Sequence, residues 1–149
     1  MITFIQTNFS NPDFKKLIER LDKEYRVRYP YFKNYTNPFN ILDEHARVIM
    51  AHDNTTPIAC GAFRPVDNKT IEIKRMYTLP QYRNHGIGKR IVRELEQWAR
   101  GEGFSVSILE TGINQPEAIA AYEKSGYVRI PKFPPYVDVK ESICMEKRL

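Results

Sequence analysis

Alternating and helically spaced apolar positions divide the chain into elements. Ile2-Thr3-Phe4-Ile5-Gln6-Thr7 is a run of β-formers and predicts a first strand. Ser10-Asn11-Pro12 then offers a cap and an initiating proline, with Phe14, Leu17, Ile18, Leu21 and Tyr25 following at helical spacing. That pattern predicts an amphipathic helix to about Tyr29. The stretch from Tyr29 to Phe39 is aromatic and broken by Pro30 and Pro38, which suits a loop or short helix folded over something. Arg47 to Ala51 and Pro57 to Phe63 read as a hairpin turned at Asp53-Asn54-Thr55-Thr56. A third strand, Thr70 to Thr78, follows the turn at Asp67-Asn68-Lys69. Beyond Pro80 comes a glycine-bearing loop, Arg83 to Gly88. Ile87, Ile91, Val92, Leu95, Trp98 and Ala99 then make an apolar stripe of about four turns. Phe104 to Leu109 reads as a short buried strand and Pro116 to Ser125 as a short helix closed by Gly126. Tyr127 to Ile130 and Val139 to Glu146 are two closing strands, separated by a segment containing Pro131, Pro134 and Pro135.

This order, β-α-β-β-β-α-β-α-β-β, predicts an α/β domain: a mixed β-sheet of about six to seven strands flanked by helices on both faces. A length of 149 residues with 42% hydrophobic and 12% aromatic positions fits one domain and excludes disorder or coiled coil. The 23 Lys and Arg against 18 Asp and Glu leave +5, which suits an anionic ligand. The basic residues are scattered without a stripe of interleaved aromatics, so nucleic acid is not the expected partner. No run of about 18 apolar residues occurs and no leader pattern opens the chain, so no membrane partner is expected and the expected compartment is the cytoplasm. Cys60 and Cys144 read as reduced core residues, and His45, His52 and His85 have no metal-type spacing, so no metal is expected. The sequence leaves a homodimer open.

The chemistry concentrates in Glu72 to Arg90, a strand, a loop and the start of a helix. Exposed backbone N–H groups and the positive end of the helix dipole converge there. Gly86 and Gly88 keep side chains out of the way, and Arg83, Lys89 and Arg90 add charge, so the loop is a seat for a phosphate or pyrophosphate. Gly88-Lys89 runs into Arg90 rather than Ser or Thr, which excludes the nucleotide-hydrolase loop, and the three glycines of a dinucleotide fold are missing. A helix start that merely needs close packing is the competing reading of this loop.

Arg83-x-x-Gly86-x-Gly88 after a strand resembles the coenzyme-binding motif of the GNAT superfamily of N-acetyltransferases. Ala118, Tyr122, Gly126 and Tyr127 match that family's second signature, and the similar segments span roughly Ile58 to Leu149. Two positions depart from it. Asn84 stands where members commonly carry glycine, and Gln115 where they carry a coenzyme-contacting asparagine, which neighbouring Asn114 could replace. The resemblance implies that acetyl-CoA, as co-substrate, lays its pyrophosphate on the amides of Arg83, Asn84, His85, Gly86, Ile87, Gly88 and Lys89. Its pantetheine arm would run like an added strand along Met76, Tyr77 and Thr78. An N–H near Met76 would face the thioester carbonyl, and an amine acceptor would attack directly. The acceptor is read as a primary amine of a small molecule or amino acid. A protein or peptide acetyltransferase and a non-catalytic acyl-CoA sensor are the alternatives.

An alkyl amine is mostly protonated at neutral pH, so a base must take its proton. Glu72, four residues before Met76, matches the position of the base in family members, and strand alternation would place it on one face with Lys74, Met76 and Thr78. Its bland reading is a glutamate paired with Lys74 or Lys69. Glu110, at the expected end of a buried strand, is the rival; its bland reading is a partner for Arg75 or Lys74. The resemblance makes Tyr122 the acid that protonates the departing thiolate, against a reading as a core tyrosine. The Tyr29–Phe39 and Phe133–Tyr136 segments are expected to wall the acceptor site.

Overall fold

The computed structural model describes residues 1–30 and 42–149. Its elements are β1 (Ile2–Thr7), α1 (Pro12–Arg28), β2 (Arg47–Asp53), β3 (Thr56–Pro65), β4 (Thr70–Thr78), a 3-10 turn at Pro80–Tyr82, α2 (Ile87–Gly101), β5 (Val106–Gly112), α3 (Pro116–Lys124), β6 (Val128–Ile130) and β7 (Ser142–Arg148). Among the described residues the predicted order of elements is the observed one. The strands form a single seven-stranded sheet ordered β1-β2-β3-β4-β5-β7-β6, antiparallel except for the β4–β5 pair. Most of the expected aromatic wall between Tyr29 and Phe39 lies outside the described residues.

Each helix forms where its ends are capped and one face is apolar. Asn11 caps α1, accepting from the N–H groups of Asp13 (2.9 Å) and Phe14 (3.2 Å), with Pro12 in the first turn. On α2, Ile87, Ile91, Val92, Leu95 and Ala99 are buried, and each fully buried Ile or Leu contributes roughly 1.5–3 kcal/mol. Buried Glu96 on the same helix is satisfied by Tyr127 Oη (3.0 Å) and Lys147 Nζ (3.0 Å), which fixes α2 over β7. The two long helices lie on opposite faces. Tyr77 of β4 donates to Glu24 of α1, whereas a Cβ built on Gly61 of β3 would meet Met76 and the α2 residues Ile91 (2.8 Å) and Leu95 (3.3 Å).

Several strand boundaries differ from expectation, and two of them move residues near the candidate site. β5 runs on to Gly112 because Glu110 and Thr111 pair with Cys144 and Ile143 of β7, so Glu110 lies within the strand and not at its end. β7 starts at Ser142 because Val139 belongs to a turn: its N–H bonds Tyr136 O, and its carbonyl accepts from Ser142 N and from Lys132 Nζ (2.6 Å). The larger departure lies in β4. Lys74 pairs with Ala62 and Tyr77 with Cys60, so Arg75 and Met76 together stand opposite Gly61. This β-bulge, with Arg75 at φ 58°, advances the alternation by one residue. Glu72, Lys74 and Tyr77 therefore share the α1 face, while Met76 and Thr78 take the α2 face. The single face expected for Glu72, Lys74, Met76 and Thr78 is corrected accordingly.

Candidate active site

The bulge sits where the sheet opens. The β4–β5 ladder starts at Thr70–Val106 and ends at Ile73–Leu109, although β4 continues to Thr78 and β5 to Gly112. Beyond Ile73 the two parallel strands splay, which leaves an edge of β4 without its sheet partner. Arg75 O accepts from Cys60 Sγ on β3 at 3.5 Å. A trans peptide points its C=O and the next N–H in opposite directions, so the Met76 N–H is directed away from β3, toward the splay.

At the far end of this edge the loop into α2 presents its amides. Arg90 N makes the first helical bond, to Gly86 O (3.0 Å). Among the described residues, the N–H groups from Asn84 through Lys89 have no hydrogen-bond partner. Asn84 (φ 67°) and Gly86 (φ 78°) are both left-handed, a conformation glycine adopts freely and asparagine better than most residues. A run of outward N–H groups at a helix N-terminus fits an anionic oxygen cluster such as a diphosphate.

Two cavities meet along β4. The outer cleft, about 550 Å³, runs from the Asn84–Lys89 loop past Thr78 to Met76, with Gln115, Ala118 and Tyr122 of the β5–α3 side opposite. The inner one, about 150 Å³, lies between the splayed strands under Tyr25 and Tyr136. Met76, Ala118 and Tyr122 line both, so a ligand filling the outer cleft reaches the inner cavity at these residues.

The expected site residues fall around this pair of cavities as follows. Met76, Tyr77, Thr78, Arg83, Asn84, Gly86, Ile87, Gly88, Lys89 and Gln115 line the outer cleft. Arg83 is already engaged: its Nε donates to Thr78 O (2.8 Å) and its Nη2 to both Glu24 oxygens (2.9 and 3.0 Å). The His85 ring folds back onto the carbonyls of Arg83 (2.8 Å) and Tyr82 (3.3 Å), leaving only its backbone toward the loop interior. Asn114 does not line either cavity; its side chain donates to Arg28 O at 3.4 Å. Gln115 does, with its Oε1 accepting from Gly112 N at 3.2 Å.

Glu72, Glu110 and Tyr122 all line the inner cavity. Glu72 is 1% exposed and lies in a network: Oε1 accepts from Arg64 (2.9 Å), Oε2 from Lys74 (3.2 Å) and Tyr136 Oη (3.4 Å). Burial lowers the pKa of Lys74, against the opposing pull of Glu72, and raises that of Tyr136, with the charges of Glu72 and Glu110 adding to the rise. Glu110 accepts from Ser142 Oγ at 2.6 Å, and Arg75 pairs instead with Asp22 of α1 at 2.8 Å. The Tyr122 hydroxyl has no hydrogen-bond partner among the described residues, although its ring packs edge-on against Tyr127 at 5.8 Å. Burial, reinforced by the charge of Glu110, raises its pKa, so it stays a proton donor at physiological pH. Arg64, Lys74 and Tyr136 as partners of one carboxylate were not legible as a set, because they come from β3, β4 and the segment before β7.

The sheet, the splay and the loop define a mixed α/β fold with an anion-type helix start beside an open strand edge, and sequence comparison gives the family. The chain belongs to the GNAT acetyltransferases: the acetyltransferase (GNAT) family model matches residues 10–127. It is 35% identical over 136 residues to an IAA acetyltransferase of Azospirillum brasilense, covering 90% of this chain and 89% of that protein. The crystal structure of a Klebsiella pneumoniae chain named for the acyl-CoA N-acyltransferases superposes with a TM-score of 0.85 at 29% identity, covering 100% and 98% of the two chains. A GNAT family acetyltransferase from Elizabethkingia anophelis, crystallised with acetyl-CoA bound, shares the fold at a TM-score of 0.72 and 18% identity, over 99% and 98% of the chains. The protein is therefore an acyltransferase. No helix among the described residues is long and apolar enough to cross a membrane, and no cluster among them has the makings of a metal site.

Proposed function

We propose that the protein moves an acetyl group from acetyl-CoA to a primary amine of a small molecule or amino acid, by direct attack without an acyl-enzyme. The observation that carries this reading is the meeting of the two cavities at Met76 and Tyr122, one leading to unpaired amides and the other to carboxylates. Acetyl-CoA supplies an acetyl group activated as a thioester. The amides of Asn84 to Lys89 hold its diphosphate, and the open edge of β4 at Met76 and Thr78 pairs with its arm. The Met76 N–H, turned out by the bulge, donates to the acyl oxygen; loss of such a donor typically costs about 3 kcal/mol in the barrier. Glu110 binds the incoming ammonium and takes its proton. Glu72 holds Lys74 and Arg64 in place. Tyr122 delivers a proton to the departing sulfur.

The test is thiol release from acetyl-CoA against a panel of amines, amino acids and peptides, with the acetylated product identified by mass. Turnover of at least one small amine is expected. Saturable acetyl-CoA binding without thiol release by any amine contradicts the reading and favours a sensor.

A further inference from the structure

Glu24 puts a carboxylate into a cleft whose loop suits anions. One face of α1, carrying Leu21, Glu24, Tyr25 and Arg28 at helical spacing, lines the outer cleft together with the loop into α2. Arg28 is committed to Glu117 of α3 at 2.6 Å, whereas Glu24 reaches the start of the loop itself. Its oxygens accept from Arg83 Nη2 at 3.0 and 2.9 Å, and Oε1 also accepts from Tyr77 Oη at 3.0 Å. Arg83 Nε donates to Thr78 O at 2.8 Å, and the guanidinium lies over the Tyr77 ring, 5.6 Å from its centroid. These bonds fix the fork and occupy Nε and Nη2. The remaining group, Nη1 with its two N–H donors, has no hydrogen-bond partner among the described residues, and Arg83 lines the cleft beside Asn84 and Gly86.

Resting on the coenzyme seat proposed above, we infer that Glu24 is a positioning residue with two opposed effects: it holds Arg83 ready for a coenzyme phosphate, and its charge keeps the affinity for coenzyme A low enough for the product to leave. The first effect lowers the entropy lost when a long side chain is immobilised on binding. The second follows from the shared guanidinium. Coenzyme A carries the same diphosphate as acetyl-CoA, so each contact that favours loading also delays departure, and product release limits the turnover of many enzymes. Two anions on different edges of one guanidinium lie roughly 7 Å apart, a repulsion equivalent to about threefold in affinity at the dielectric of water and more at lower values.

The experiment is calorimetric titration of the intact protein with coenzyme A at low salt, joined to stopped-flow measurement of its dissociation. Glu24→Gln keeps the shape and an acceptor oxygen for Arg83 and Tyr77 but removes the charge. It is expected to bind coenzyme A about threefold or more tightly, to release it correspondingly more slowly, and to lose that advantage at high salt. Glu24→Asp keeps the charge and is expected to gain no affinity. A glutamate that only braces α1 against the loop would give the opposite sign. Binding by Glu24→Gln equal to or weaker than wild type at low salt therefore overturns the inference. Arg83→Gln is expected to weaken binding by about tenfold or more, and undiminished affinity there overturns it too, whether or not the Glu24 variants fold. A wild-type protein that does not bind coenzyme A at all overturns the proposed function as well.

Discussion

Replacing Gly86 by asparagine and by aspartate separates conformation from charge in the diphosphate seat. Gly86 caps α2 at φ 78°, and a Cβ there meets nothing within 4 Å, so neither side chain clashes. Both residues tolerate a left-handed backbone better than most, and the cost relative to glycine, roughly 1 kcal/mol, is common to the two. The difference between them is one negative charge beside the unpaired amides. At about 5 Å from one phosphate charge it opposes binding by about 0.8 kcal/mol at the dielectric of water and about 3 kcal/mol at an effective value near 20. Acetyl-CoA should therefore bind the aspartate variant about fourfold to about 200-fold more weakly than the asparagine variant. Isothermal titration calorimetry at low and high salt measures this, and the gap should narrow as salt screens it. Equal dissociation constants for the two variants at low salt would refute the assignment of this loop.

Tyr122→Phe should lower kcat with little change in acetyl-CoA affinity; because the raised pKa keeps the hydroxyl protonated, the ratio to wild type should stay flat from pH 6 to 9. Undiminished turnover would return Tyr122 to a packing role. Glu110→Gln should reduce kcat/KM for the amine while leaving the melting temperature nearly unchanged. Glu72→Gln should instead destabilise the fold by about 3 kcal/mol, since it strands the buried Lys74, and a denaturant midpoint equal to wild type would contradict the buried network. Gly61→Ala, which drives a methyl into Met76 and Ile91, should cost about 1–3 kcal/mol and lower kcat by disturbing the bulge; calorimetry and thiol release read both effects. The Cys60 thiol, fully buried and pushed up to about 12, should resist a thiol reagent at pH 8 in the folded protein and react once urea unfolds it.

The elements were legible because their signals are local. The stripe from Ile87 to Ala99 has helical period, and the glycine-bearing loop from Arg83 to Gly88 announces a helix start. Asn84, standing where glycine is common, takes the left-handed backbone that asparagine tolerates better than most residues. The bulge at Arg75 was not legible. Nothing in Lys74-Arg75-Met76 demands it, and it depends on Gly61 lying opposite on another strand, a lone glycine among buried apolar residues of β3 that was the available hint. One shifted residue was enough to put Met76 on the wrong face. Glu110 gave the same lesson: its strand extends because β7 pairs with it, a long-range partner that local propensity does not report. Tyr136 arrives in the inner cavity from a proline-rich segment, and only the fold brings its hydroxyl to Lys74 and Glu72.

A structure of the protein crystallised with coenzyme A tests the central claim most directly. The account predicts the diphosphate within hydrogen-bond distance of the amides between Asn84 and Lys89, the pantetheine paired along β4 beyond Ile73, and the sulfur between the Met76 N–H and the Tyr122 hydroxyl. Coenzyme bound at full occupancy anywhere else on the sheet, with those amides still bare, would contradict it.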